Sequence, residues 1–198
     1  MYAWKLPTSI RIGKYDYSIR TDFRVILDIL TAVNDTEIFE PGMSDDEKKY
    51  EQAMTMLQIL YIDFDTIPPS DWDEAIKKAC EFIDCGLKDD GHPKPTLMDW
   101  EQDAPIIVPA VNKVCGFDVR SSDYMHWWTF LGYYMEIGEC TLSTVVSIRN
   151  KKRKGKKLEK WEQEFYRDNK ALVDLRKKKV ERSSEEKEAL RKLFGLSK

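Results

Sequence analysis

The densest group of like charges in the sequence is Lys151, Lys152, Arg153, Lys154, Gly155, Lys156 and Lys157, followed closely by Trp161, Phe165 and Tyr166. Residues of these types at this spacing could grip phosphates and stack bases. Two features argue against a nucleic-acid partner. Glu159, Glu162 and Glu164 are interleaved at helical spacing, and the chain ahead of the run is acidic. An acidic helical face on a protein suits the run better, so nucleic acid is not the expected partner. His126 beside Trp127 and Trp128 invites a catalytic or cation–π reading, but a histidine inside so apolar a stretch is better read as a core residue. Cys80, Cys85, His92 and Cys115 could be drawn as a zinc site. They lack any C-x-x-C pair and fall largely in predicted helices, so reduced thiols are expected instead. Asp63 and Asp65 resemble the opening of a calcium loop, yet Pro68 stands where a glycine is needed and the closing glutamate is missing. No phosphate-cradling glycine loop, nucleophile elbow or H-E-x-x-H motif occurs. With 35 acids in 198 residues, close carboxylate pairs carry no information. No enzyme, cofactor or metal centre is expected.

The elements that must position these residues are mostly helices. Ile10, Ile12, Tyr15, Tyr17 and Ile19 alternate with polar residues around Gly13-Lys14, which predicts a short N-terminal β-hairpin. Thr21 or Asp22 should cap a helix carrying Phe23, Ile26, Leu27 and Leu30. Ser44 and Glu47 form a capping box ahead of Tyr50, Met54, Leu57 and Tyr61. Pro68-Pro69-Ser70 opens a helix with Trp72, Ala75, Ile76, Ala79, Phe82 and Ile83 inward, ended by Gly86. Asp99 to Asp103 opens another, in which Pro109 predicts a kink or a late start.

The most aromatic stretch follows. Asp123, with Ser121 and Ser122 as rivals, should cap a helix whose broad stripe takes in Met125, Trp127, Trp128, Phe130, Leu131, Tyr134 and Met135, with Gly138 at its end. Leu142, Val145, Val146 and Ile148 form the next helix; the two valines are β-branched and could also read as strand, but the basic, helix-favouring residues that follow favour helix. A single long helix is expected from Lys156 to Val180, and a last short one near Leu190, Leu193 and Phe194. No leader peptide or membrane-spanning segment is expected.

Charge is divided unevenly. Residues 1–149 carry 14 Lys/Arg against 26 Asp/Glu, net −12, and residues 150–198 carry 18 against 9, net +9. The reading is mainly α: a multi-helix single domain with a short N-terminal β-hairpin (1–149) and a basic helical C-terminal appendage (150–198). The appendage is too poor in apolar residues to form a core alone, so it packs on the body, on another copy or on a partner. Opposite charge on the two parts favours self-association.

Met125-His-Trp-Trp-Thr-Phe-Leu131, then Thr141-x-x-x-Val145-Val146-x-Ile148-Arg149 and a basic linker, resemble a known family. Trp72-x-x-Ala75, Phe82-Ile83-x-x-Gly86, Asp99-Trp100-x-x-Asp103 and Gly116-Phe-Asp-Val-Arg120 agree with it. The resemblance, over roughly residues 55 to 175, is to phage and prophage tail proteins of the bacteriophage Gp15 type, encoded ahead of the tape measure gene in siphophages of Gram-positive hosts. It implies a non-catalytic tail assembly chaperone in the bacterial cytoplasm that binds the tape measure protein and recruits tail tube protein. A minor structural tail protein and a nucleic-acid-binding accessory protein are the alternatives. The partner contacts expected are Trp127, Trp128, Phe130 and Tyr134 as core and groove, and Lys151, Lys152, Arg153, Lys154, Lys156, Lys157 and Trp161 as surface.

Overall fold

The computed structural model describes residues 4–34, 43–87 and 96–176. Among them are eight α-helices and one antiparallel hairpin, so the fold is mainly α, with the hairpin at the N-terminus. The described residues fall into two compact units. One comprises 4–34 and 43–87 with 125–128, and the other 96–124 with 129–176.

In the first unit, β1 (Ser9–Ile12) pairs with β2 (Tyr15–Ser18) in the register Ile10 to Tyr17 and Ile12 to Tyr15. The tight turn rests on Gly13, which takes φ 55° at no steric cost. Two strands alone are marginal. Here β1 packs on α3 (Trp72–Ile83) and buries Ile10 and Ile12. Asp22 caps α1 (Phe23–Asn34), its carboxylate accepting from the Arg24 N–H at 3.0 Å. Phe23, Ile26, Ile29 and Ala32 form the buried face of α1. The capping box at Ser44 and Glu47 opens α2 (Asp45–Leu60) as the spacing predicts. Its buried residues include Met54, Met56, Leu57 and Leu60, followed by Tyr61, while Tyr50 is exposed. Arg20 closes the C-terminal end of α2, donating to the carbonyls of Gln58, Ile59 and Tyr61. A short 3-10 turn, Pro69–Asp71, leads into α3.

The second unit is built on α4 (Ala104–Cys115), α6 (Thr141–Arg153), α7 (Lys160–Asp168) and α8 (Lys170–Val173). Helix α4 runs through Pro109 and ends on Gly116 at φ 84°. The proline costs the Pro105 carbonyl its usual donor without ending the helix. Helix α6 confirms the helical reading of Val145 and Val146, and buries Leu142, Val145, Ile148 and Arg149. Val145, Ile148 and Val173 form a core with Ile106, Leu158, Phe165, Tyr166 and Leu172 against it. Residues beyond Lys156 thus pack into a unit of the chain. The single long helix expected there is replaced by α7 and α8, broken at Asn169, which leaves the helical region at φ −124°, ψ 32°. Lys177 to Lys179 and the short helix expected near Leu190 lie outside the described residues, as does His92.

Helix α5 (Trp127–Met135) contributes its first two residues to the first unit and the rest to the second. It starts later than Asp123 predicts. The segment before it is extended: Phe23 N–H donates to the Met125 carbonyl at 2.9 Å, and Trp127 N–H to the Thr21 carbonyl at 2.7 Å. His126 takes the capping role, with Nδ1 accepting from the Trp128 N–H at 3.0 Å. Its Nε2 therefore carries the proton and donates to the Pro7 carbonyl at 2.9 Å. The helix stops at Met135, short of Gly138.

Candidate functional site

The tandem tryptophans have a specific structural task. Helix α3 ends at Ile83, and a helix leaves its last four carbonyls without intrahelical donors. Asp84 N–H reaches the Cys80 carbonyl, Gly86 N–H the Glu81 carbonyl, and Cys85 N–H the Phe82 carbonyl. The last two bonds are a Schellman pair, with Cys85 itself in the left-handed region at φ 55°. Trp128 Nε1 adds a second donor to Phe82 at 2.8 Å, and Trp127 Nε1 supplies Ile83 at 2.8 Å. Every orphan carbonyl of α3 is thereby satisfied. The Trp128 ring also stacks on Phe82, at 5.9 Å between centroids. Trp127 is fully buried and His126 nearly so. The histidine's two ring nitrogens are both engaged, as a core residue's would be.

Phe130 and Tyr134 belong to the second unit and gather around Trp100. Their ring centroids lie 6.4 and 5.1 Å from it. Phe130 is buried, Tyr134 half-buried with its hydroxyl against the Met98 sulfur. Burial pushes the Tyr134 phenol above its usual range, and the nearby Asp103 charge adds to this. Within the first unit, Trp127 and Trp128 thus serve the end of α3, and within the second, Phe130 and Tyr134 pack on Trp100.

The basic run is also sorted by the structure. Lys151 Nζ lies 2.7 Å from Glu162 Oε1, and Glu162 is almost fully buried. The other Glu162 oxygen accepts from the Glu159 N–H and completes the capping box of α7. The Lys151 ammonium beside it holds the Glu162 carboxyl below its ordinary range. Lys152 Nζ lies 2.6 Å from Asp174 and 3.6 Å above the Tyr166 ring, and the Tyr166 hydroxyl donates to the same carboxylate. Lys152 lowers the Asp174 carboxyl in turn. These two lysines are spent inside the fold. Arg153, Lys154, Lys156 and Lys157 are exposed, and no ion pair ties them among the described residues. They sit on the turn that ends α6, a Schellman motif in which Lys156 N–H meets the Lys151 carbonyl and Gly155 takes φ 63°. Trp161 follows, half-exposed, with its indole N–H on Glu159.

A buried ion pair that the sequence does not announce organises the second unit. Arg149 is 6% exposed and Asp103 0%. Nη1 donates to Asp103 Oδ2 at 2.6 Å and to the Leu97 carbonyl at 2.9 Å. Nη2 donates to Asp103 Oδ1 at 2.8 Å and to the Leu172 carbonyl at 2.9 Å. Nε donates to the Val173 carbonyl at 2.7 Å. All five guanidinium donors are used, and one side chain joins α6 to the start of α4 and to α8. The available signal was Arg149 standing four residues after Val145, on the apolar face of its helix. A charge in that register requires a buried partner.

An open groove of about 600 Å³ on α4 is lined by Ala104, Pro105, Val108, Pro109 and Asn112, with Glu101 and Arg120. Among the described residues, no cluster of histidines, cysteines or carboxylates could hold a metal ion, and no helix is long and apolar enough to cross a membrane.

Comparison with known proteins gives one positive result. No curated protein and no solved structure matches the chain. Residues 4–175, which hold nearly all the described structure, match the family described as Bacteriophage Gp15 protein. Segments that carry the resemblance in sequence prove to be joined in space: Asp103 with Arg149, and Phe82-Ile83 with Trp127-Trp128. The chain therefore belongs to the Bacteriophage Gp15 protein family.

Proposed function

We propose that this chain is a non-catalytic tail assembly chaperone, which binds the tape measure protein during phage assembly and helps bring tail tube protein to it. The observation that carries this reading is membership of a bacteriophage family along almost the whole chain. A tape measure protein is a long helix, and its apolar stripes aggregate unless covered. Covering them takes helix faces and charged surfaces rather than a reaction centre. The basic turn with Trp161 and the apolar groove on α4 are surfaces of that kind.

The test is co-expression of the full chain with the tape measure protein of the same phage. A soluble complex that forms only when both are present is the expected result. A tape measure protein that is soluble alone and ignores this chain refutes the reading. Finding the chain in purified virions would instead favour a minor structural tail protein.

A further inference from the structure

Among the described residues, two groups of surface charges form no ion pair; they are opposite in sign, and each lies beside exposed apolar side chains. The first is the turn after α6. Lys151 and Lys152 are committed to Glu162 and Asp174, but Arg153, Lys154, Lys156 and Lys157 project from a backbone fixed by its Schellman bonds, beside half-exposed Trp161. The second is the rim from Ile62 to Asp73. Asp63, Asp65 and Asp73 are exposed there, with no ion pair among the described residues and no basic residue from 62 to 73. Exposed Ile62, Pro68 and Pro69 lie among them. This rim is also held rigid. Phe64 stacks on Trp72 at 5.8 Å, and the Trp72 indole donates to the Ile67 carbonyl at 3.2 Å. A flexible charged loop would lose ordering entropy on docking, whereas two pre-formed surfaces lose little.

We propose that these surfaces bind each other between copies: the basic turn of one chain, with Trp161, docks on the acidic rim of the next. Arg153, Lys154, Lys156 and Lys157 face Asp63, Asp65 and Asp73, and the indole covers Ile62 and the two prolines. The contact is heterologous, because each copy offers two different patches. It therefore propagates into a row, or closes into a ring where the rotation allows. The contact needs no tape measure protein, so its test is independent of the chaperone reading.

The experiment measures the mass of the full chain by light scattering as concentration and salt are varied. One variant reverses the turn (Lys154→Glu, Lys156→Glu, Lys157→Glu) and another the rim (Asp63→Lys, Asp65→Lys, Asp73→Lys). All six positions are exposed, and circular dichroism checks that both variants fold. The native chain should rise above 23.3 kDa with concentration at low salt. It should return towards that mass near 1 M salt, where the screening length falls to about 3 Å. Each variant alone should associate at least about tenfold more weakly. An equimolar mixture of the two should recover association, since every patch then finds an opposite charge. A native chain that keeps the single-chain mass throughout overturns the proposal. So do variants that associate like the native chain, or a mixture that recovers nothing. Retention of the native chain on duplex DNA, lost in the turn variant with self-association unchanged, would assign the turn to phosphates instead.

Discussion

Replacing Arg149 by alanine tests the most concentrated interaction in the structure. The change removes five hydrogen bonds at once and leaves the Asp103 carboxylate, which is 0% exposed, without its counter-charge. Breaking a buried pair from one side costs about 3–5 kcal/mol. The carbonyls of Leu97, Leu172 and Val173 each lose a charged donor as well, which argues for the upper part of that range. A loss of about 4–5 kcal/mol is a large share of the roughly 5–15 kcal/mol by which domains are ordinarily stable. Arg149→Lys keeps the charge but not the planar fork, and should recover only part of it. Urea unfolding gives the total, and hydrogen exchange gives the location, with protection lost first near residues 97–103 and 170–174. A double cycle with Asp103→Ala should show a coupling of about 2 kcal/mol or more, because the second change relieves the stranded partner. Loss of under about 1 kcal/mol in Arg149→Ala, or additivity in the cycle, would refute the assignment of this pair as the organiser of the second unit.

Three other outcomes follow from the geometry. Trp127→Phe and Trp128→Phe keep a ring but orphan the Ile83 carbonyl and remove one Phe82 donor, so each should cost about 1–2 kcal/mol, the first more than the second, in thermal unfolding. Cys85→Gly should raise stability by about 0.5–1 kcal/mol, because Cys85 is the one non-glycine with positive φ among the described residues; an unchanged or lower melting temperature would contradict this. Glu162 and Asp174 have folded carboxyls lowered by Lys151 and Lys152, so their contribution is complete above the unfolded carboxylate range near pH 4 and is lost as pH falls through the lowered values. Lys151→Met should flatten that acid limb in a pH series of unfolding midpoints.

What the sequence made legible was local. The hairpin turn at Gly13 and the capping box at Ser44 are each decided by residues a few positions apart. The helix containing Val145 and Val146 was likewise settled by the helix-favouring residues beside it. The misread features depend on distant partners. Asp123 was a reasonable cap by type. Yet the strand-like pairing of Met125 and Trp127 with residues 21–23 delays the helix, and His126 inherits the role. Trp127 and Trp128 looked like one face of a stripe because periodicity reports which side is apolar, not which carbonyls the indole N–H groups reach. The continuous helix expected after Lys156 failed because Asn169 turns the chain so that Leu172 and Val173 meet Arg149. The basic run was visible as charge, but its division into spent and free lysines depended on where Glu162 and Asp174 are held.

The tryptophan caps also bear on synthesis. The residues that finish the C-terminal end of α3 come 44 and 46 positions later in the chain. They arrive after the whole of α4 has been made, although α4 belongs to the other unit. A ribosome therefore releases α3 with the Ile83 carbonyl uncapped and Phe82 short of its second donor, and must produce part of the second unit before the first can close. The second unit waits in turn for Val173. Nascent chains halted between residues 90 and 124 should resist protease poorly, and protection of the first unit should appear only once Trp128 has emerged.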